Sequence, residues 1–333
     1  MSTTDLSLNE IFELATACLS AAGANSENAR AVARTVMTAE RDGSVSHGLF
    51  RLPGYVASLK SGKVNGAADP RPEFSTEVVL RCHGQNGFAP LAHARCLGPL
   101  GEAARKNGLA VLAITHTHHF AALWPEVETL AEQGLCALTC VSYKPSVAPA
   151  GGTKAFFGTN PIGFAWPREN DSPMVVDMAT AAMAQGEISV AARDGHSVPP
   201  GTGLDASGQP TTDPAKILEG VILPFGGYKG SALSMMVELL AGPLVGEAFS
   251  YETAQRDNND GGPAQGGQFV LAMSPELIAG QNSSAQCEAF FSQLLAIDGV
   301  RLPGERRHKN RTDNGPRAVN TALVEQLRAL VEN

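Results

Sequence analysis

The run Leu109-Ala-Val-Leu-Ala-Ile-Thr115 passes without a break into His116-Thr-His-His119-Phe-Ala-Ala122, and its reading sets the fold class. The first half is short, apolar and preceded by Gly108, a pattern that predicts a buried strand. The second half places histidines at the end of that strand, where loops commonly line a ligand pocket. Working outward, residues 91–106 predict a helix ending at Gly108, and residues 77–82 alternate as a strand. Beyond the histidines, a helix over about 125–133 and a strand over 135–141 continue the alternation. The pattern is that of an α/β chain.

Toward the N-terminus, Ser7-Leu-Asn-Glu10 has the form of a capping box ahead of one apolar stripe, Leu8, Ile11, Phe12, Ala15, Cys18 and Leu19. A second helix is expected over 27–40 with Val32, Val36 and Met37 inward, and a short one over 55–59 after Pro53. Toward the C-terminus, residues 150–176 alternate strands and turns, and residues 178–193 predict a helix carrying Glu187. Residues 199–214 form a loop by composition. Gly226-Gly-Tyr-Lys-Gly-Ser231 opens an apolar helix through residue 240, and residues 261–267 precede a strand over 268–273. Helices near 283–295 and 321–331 enclose a polar, basic loop, Leu302-Pro-Gly-Glu-Arg-Arg-His308.

A length of 333 residues suggests about two domains. The net charge of −8 argues against a nucleic-acid partner. No run of 18 apolar residues and no leader-like start is present, so a soluble cytoplasmic protein is expected, with no membrane span. Cys18, Cys82, Cys96, Cys136, Cys140 and Cys287 form no C-x-x-C pair and are expected as reduced thiols.

Chemistry concentrates in Arg41-Asp-Gly-Ser-Val-Ser-His-Gly-Leu-Phe-Arg51-Leu-Pro-Gly54. If the segment from His47 is helical, His47 and Arg51 share a face about one turn apart. A guanidinium grips a carboxylate in bidentate fashion, and an imidazole passes protons near neutral pH. Together they suit a small carboxylic acid reacting at its α-carbon; a helix-end Ser and His with a solvated Arg is the plain alternative.

No G-x-x-x-x-G-K-[ST] occurs, and Gly201-Thr-Gly-Leu-Asp-Ala206 lacks the strand and helix that a dinucleotide fingerprint needs. Gly226-Gly-Tyr-Lys-Gly at a helix start suits phosphate, or packing alone. His116, His118 and His119 lack metal-ligand spacing, and no metal is expected. Arg306-Arg307-His308 is either a solvated run or a clamp for a 2′-phosphate. Asp177 and Glu187 are the acids expected to be buried; a salt bridge or a helix-surface charge is the alternative for Glu187.

Read together, Ser46-His-Gly-Leu-Phe-Arg51, His119-Phe, Ala148-Pro-Ala-Gly-Gly152, Gly158-Thr-Asn-Pro161, Val176-Asp-Met-Ala179, Tyr228-Lys-Gly230 and Leu302-Pro-Gly-Glu305 resemble the malate/L-lactate dehydrogenase family of non-Rossmann NAD(P)-dependent oxidoreductases. The likeness spans nearly the whole chain and is strongest to the family's NADPH-dependent reductases of small cyclic imino acids; a 2-hydroxy acid dehydrogenase is the alternative. It implies an α/β (α+β) fold with a cofactor domain over residues 111–304, built on a largely antiparallel sheet flanked by helices. Residues 1–110 with 305–333 would form a discontinuous helical substrate and dimerisation domain, in a homodimer.

Carried over by motif, His47 is the proton donor, Ser46 its relay partner, and Arg51 and Thr159 bind the small-molecule substrate. Glu187 would serve the imine chemistry where hydroxy-acid-oxidising relatives carry a basic residue. NADPH would be lined by His119, Phe120, Ala121, Ala122, Asp177, Met178, Ala179, Lys229, Gly230, Leu302, Pro303, Gly304, Glu305, Arg306, Arg307 and His308. The chain departs from commoner members at Tyr143-Lys144 before Pro145, and at Ala181 after Thr180.

Overall fold

A computed structural model describes residues 2–119, 122–280 and 283–332. The chain opens with a short strand, β1 (Thr3–Leu6), and helices α1 (Leu8–Ala21) and α2 (Ser26–Arg41). The Ser7–Glu10 capping box forms as expected, with the Ser7 hydroxyl accepting from the Glu10 amide and the Glu10 carboxylate accepting from the Ser7 amide. Two 3-10 turns, Val45–His47 and Leu49–Arg51, lead into α3 (Leu52–Lys60).

The central layer follows: β2 (Arg71–Thr76), β3 (Val79–Phe88), α4 (Ala89–Asn107), β4 (Leu109–His118), α5 (Trp124–Ala131), β5 (Cys136–Val141), β6 (Ile162–Trp166) and β7 (Met174–Met178). Next come α6 (Gln185–Asp194), the small strands β8 (Gly203–Leu204) and β9 (Pro210–Thr211), α7 (Pro214–Glu219) and β10 (Val221–Ile222). The chain closes with α8 (Tyr228–Ala241), α9 (Ser250–Arg256), β11 (Gln265–Met273), α10 (Pro275–Ala279), α11 (Ser283–Leu295), α12 (Glu305–Arg311), β12 (Arg317–Asn320) and α13 (Thr321–Glu332).

Among the described residues the main sheet has seven strands in the order β2-β3-β4-β11-β5-β6-β7. Only β3 and β4 run parallel; the other neighbours pair antiparallel. The latecomer β11 inserts between β4 and β5, with Phe269 opposite Ala113 on one side and Cys140 on the other. Burial on both faces explains the unbroken apolar run of β4. Leu112 and Ile114 point into the core shared with α4 and α5, while Ala113 packs with Val237 and Ala241 of α8. Each fully buried Leu or Ile there contributes about 1.5–3 kcal/mol. The mixed α/β fold with a largely antiparallel sheet is therefore as expected.

A second core joins Ile11, Leu19, Val32, Leu52 and Tyr55 of the first three helices to Val324 and Leu327 of α13. The β1–β12 pair, with Thr3 opposite Asn320, fastens the two chain ends together. The expected boundary at residues 110/111 falls inside β4, and β2 and β3 belong to the main sheet. Edge strand β2 is almost wholly exposed, so no apolar alternation announces it. The expected helix over 178–193 starts only at Gln185, because Met178 still pairs with Ile162 across β7 and β6. The expected loop at 302–308 is half helix: Gly304, at φ 95°, starts α12, and Glu305 in its first turn and His308, Lys309 and Arg311 in its last complement the helix dipole. Among the described residues no helix is long and apolar enough to cross a membrane.

Candidate active site

The Ser46–Arg51 segment is not a continuous helix. Gly48, at ψ −139°, separates the two 3-10 turns. The turns are anchored from behind by Glu40 on α2, whose Oε1 accepts from the Leu49 amide at 2.8 Å. A Cβ at Gly48 would lie 2.1 Å from that oxygen, so only glycine lets the turn close on it. Burial pushes the Glu40 carboxyl up to about 7, against the Leu49 hydrogen bond and the Arg317 charge.

The expected proximity of His47 and Arg51 survives without the expected helix. Arg51 folds back so that its Nε donates to the Ser46 carbonyl at 2.8 Å, leaving its terminal nitrogens for a ligand. Ser46 Oγ lies 3.0 Å from His47 Nδ1. Burial, then the Arg51 charge, then that of His119, hold the His47 imidazole down at about 3. His47 is thus neutral at physiological pH.

These residues line a cleft of about 1190 Å³ that also takes in Thr159, Tyr143, Lys144, Gly186 and Glu187. Gly186 makes this possible: a Cβ there would sit 2.5 Å from an Arg51 terminal nitrogen and 3.3 Å from Ser46 Cβ. The first turn of α6 therefore docks directly on the Ser46–Arg51 segment and brings Glu187 to the same cleft. Glu187 is exposed there rather than buried, at the helix start, where a carboxylate is favoured. Thr159 is buried, its carbonyl accepting from the Thr180 amide and hydroxyl at 2.9 and 3.1 Å. Lys144 reaches the cleft paired with Asp257 at 2.8 Å, and Asp257 is held in turn by Lys63 at 2.9 Å.

The residues expected around a cofactor divide. Met178, Ala179 and Arg306 line the cleft, and Arg306 is exposed. Asp177 also borders it, but its Oδ2 accepts from the Leu123 and Trp124 amides at 2.8 and 3.1 Å, capping α5. Burial lifts its carboxyl to about 6. Arg307 lies over the Trp124 ring at 5.4 Å and donates to the Val175 carbonyl at 2.9 Å, while its Nε has no hydrogen-bond partner among the described residues.

His308 turns away from the cleft to Glu128 at 2.6 Å, in an ionic cluster with Arg311 and Asp42, so the expected three-cation group is broken up by the helix. Leu302 is buried, the Pro303 carbonyl accepts from the Val175 amide at 3.0 Å, and Gly304 and Glu305 start α12. Lys229 and Gly230 lie at the start of α8, outside the main cleft; a Cβ at Gly230 would meet the Phe225 carbonyl at 2.2 Å. A smaller cleft of about 460 Å³, lined by Gly226 and Gly227, borders that helix start and shares Ala182 and Phe225 with the main one. Ala122 is buried in the main core with Trp124 and Val127; Phe120 and Ala121 lie outside the described residues.

The three histidines after β4 part company. His116, at φ 54°, stacks on His83 at 4.2 Å, and its amide donates to Glu247. His118 Nδ1 lies 3.1 Å from the Pro263 carbonyl. His119 and Glu126, both buried, face each other with the half-buried His93 beside them, a grouping that sequence reading missed because its members come from three separate elements. Lys63 and Asp257 escaped notice for the same reason, as charges that pair only across the fold.

Known proteins resemble the chain along almost its whole length. The family model described as malate/L-lactate dehydrogenase matches residues 6–328. A Δ1-pyrroline-2-carboxylate reductase from Ancylobacter novellus is 46% identical over 330 residues, covering 98% of this chain and 97% of the relative. A Δ1-pyrroline-2-carboxylate/Δ1-piperideine-2-carboxylate reductase from Pseudomonas putida is 46% identical over 290 residues, 87% of this chain and 85% of its own. Among solved structures, a Δ1-piperideine-2-carboxylate reductase from Pseudomonas syringae pv. tomato superposes with a TM-score of 0.92 at 42% identity, covering 98% of this chain and all of that one. The chain belongs to the malate/L-lactate dehydrogenase family.

Proposed function

We propose that the protein is an NADPH-dependent reductase of small cyclic imino acids, converting Δ1-pyrroline-2-carboxylate and Δ1-piperideine-2-carboxylate to L-proline and L-pipecolate. The observation that carries the reading is the meeting of Ser46, His47, Arg51 and Glu187 in one cleft of a chain so similar to reductases of that name. The cleft fits a dinucleotide beside a small acid. Its volume of about 1190 Å³ exceeds the roughly 300–1,000 Å³ usual for one small ligand. It carries an exposed Arg306, and it adjoins the glycine-lined start of α8. Arg306, Arg307, Met178, Ala179 and the Gly226–Gly230 turn would hold NADPH, which when bound supplies the hydride for C2 of the imine.

The chain's own residues do the rest. The two terminal nitrogens of Arg51 hold the substrate carboxylate as a fork, since its Nε is already spent on Ser46. A cyclic imine is reduced as its iminium, and the Glu187 carboxylate at the rim stabilises that cation. His47 and Ser46 manage the proton. In the free protein Arg51 helps hold His47 neutral, so a bound carboxylate that cancels the Arg51 charge raises the imidazole toward the range where it donates. Accordingly kcat should show a histidine ionisation well above the one that kcat/KM shows for the free protein; the same value in both pH profiles would refute this coupling. We further read the chain as a homodimer, because Tyr228, Met235 and Leu239 leave α8 with a large exposed apolar face. A monomer by light scattering would count against the dimer alone.

The test is product analysis. Incubated with NADPH and Δ1-pyrroline-2-carboxylate, the protein should yield proline of L configuration by chiral chromatography, and no product without the coenzyme. Absence of proline, with pyruvate or oxaloacetate reduced instead, would replace this reading by a hydroxy acid dehydrogenase.

A further inference from the structure

Glu238, on α8, is 5% exposed. A buried carboxylate is costly unless donors meet it. Here both oxygens are met: Oε1 accepts from Asn160 Nδ2 at 2.7 Å and from the Ser250 hydroxyl, and Oε2 accepts from the Ser250 amide at 2.9 Å. Among the described residues none of its partners is a cation. The Ser250 hydroxyl accepts in turn from the Gly158 amide at 3.3 Å. Glu238 therefore grips residues 158–160 at both ends, through Ser250 at Gly158 and directly at Asn160.

Asn160 passes that grip on. It is fully buried at φ 39°, a left-handed backbone that asparagine accepts more readily than most residues. The Ser234 carbonyl, 3.2 Å from Nδ2, and the Glu238 carboxylate are acceptors only. The amide nitrogen therefore faces them, and Oδ1 accepts from the Tyr143 amide at 3.3 Å. Both ends of the side-chain amide are thus occupied. Tyr143, Thr159 and Pro161, which it holds or adjoins, line the main cleft, whereas Asn160 and Glu238 do not. The Thr159 carbonyl is tied to Thr180, whose hydroxyl lies 2.8 Å from Ser234 Oγ on the same helix as Glu238.

We propose that Glu238 is a positioning residue for the reaction: through Asn160 and Ser250 it holds the wall of the cleft that presents Tyr143 and Thr159 to the substrate. The inference rests on the reductase reading only for the identity of that substrate. Glu238 touches no reacting atom. An acid is needed at its place because three donors converge there. A glutamine would turn its own amide hydrogens onto one of them and leave that donor without an acceptor. The loosened wall then binds the substrate less well, since a site is only as exact as the residues that support it.

The test compares full-length Glu238→Gln with the wild type, in steady-state kinetics with NADPH and Δ1-pyrroline-2-carboxylate and in hydrogen exchange read by mass spectrometry. KM for the imine should rise about tenfold with NADPH affinity by fluorescence unchanged. Amides in the peptides spanning residues 143 and 158–160 should exchange about tenfold faster while β4 and β11 keep their rates. Ser250→Ala cuts the route to Gly158 and spares the Asn160 bond, so it should raise KM about threefold. It also judges the proposal if Glu238→Gln does not fold. A merely structural role predicts a lower melting temperature and a lower kcat with KM unchanged in both variants, and that result would overturn the proposal. Unchanged exchange at residues 158–160 would overturn it as well. If the wild type reduces keto acids and no imine, the reductase reading falls, and the same comparison of KM with the keto acid still judges Glu238.

Discussion

The two ends of the cleft are built differently. At the substrate end Ser46, His47 and Arg51 come from one short stretch, which is held by close contacts: Glu40 on the Leu49 amide, Gly48 against Glu40, and Gly186 against Arg51 and Ser46. At the cofactor end Arg306, Met178, Ala179 and the start of α8 come from distant parts of the chain, and Arg306 stands exposed. The contrast separates what is preorganised from what a ligand completes. Substitutions at the first end should strike turnover hard, and those at the second should shift coenzyme preference mildly.

The largest effect is expected from Arg51→Lys, which keeps the charge and loses the fork. The loss of one charged, bidentate contact is worth about 1.5–3 kcal/mol, so kcat/KM for the imine should fall roughly tenfold to a hundredfold or more with NADPH binding by fluorescence unchanged. Near-normal efficiency would remove Arg51 from the carboxylate site. Gly186→Ala should come next. Its methyl group displaces the Arg51 guanidinium, a flexible tip, so KM should rise about tenfold while the melting temperature barely moves. A large drop in stability with an unchanged KM would show that the glycine serves packing alone.

At the other end, Arg306→Ala should cost a preference for NADPH over NADH by about tenfold, one exposed charged hydrogen bond, without changing the imine KM. An unchanged coenzyme ratio would mean that Arg306 does not meet the 2′-phosphate. The smallest effect on turnover belongs to Glu40→Gln, which keeps the acceptor for Leu49 and removes a titration. Because the folded protein holds the Glu40 proton up to about 7, against a usual value of 4.5, the wild type should lose up to about 3 kcal/mol of stability as pH rises between those values. Urea midpoints of the variant should lack that part of the slope; parallel pH curves would refute the assignment.

How much of this was legible in advance follows the same divide. The capping box at Ser7 and Glu10, the stop at Gly108 and the buried run of β4 obey local rules, and the structure bears them out. The Ser46–Arg51 cluster was visible because it is contiguous, although the turn that forms it depends on Glu40 closing from another helix. Glu187 was expected in the core because its neighbours are apolar, yet its own position on α6 faces out to the cleft. Helix α12 looked like a loop because its charges serve helix ends and an ionic cluster rather than an amphipathic stripe. The His93–Gln268 contact joins residues 175 positions apart, and no spacing rule reaches that far.

The most direct test of the account is the ratio of kcat/KM for Δ1-pyrroline-2-carboxylate to that for pyruvate, measured with wild-type protein and NADPH at neutral pH. The cleft as described, with a carboxylate fork, a neutral histidine and an acid at its rim, predicts a ratio of about a hundred or more, the value of a charge pair worth about 3 kcal/mol to the iminium. A ratio near or below one would contradict it.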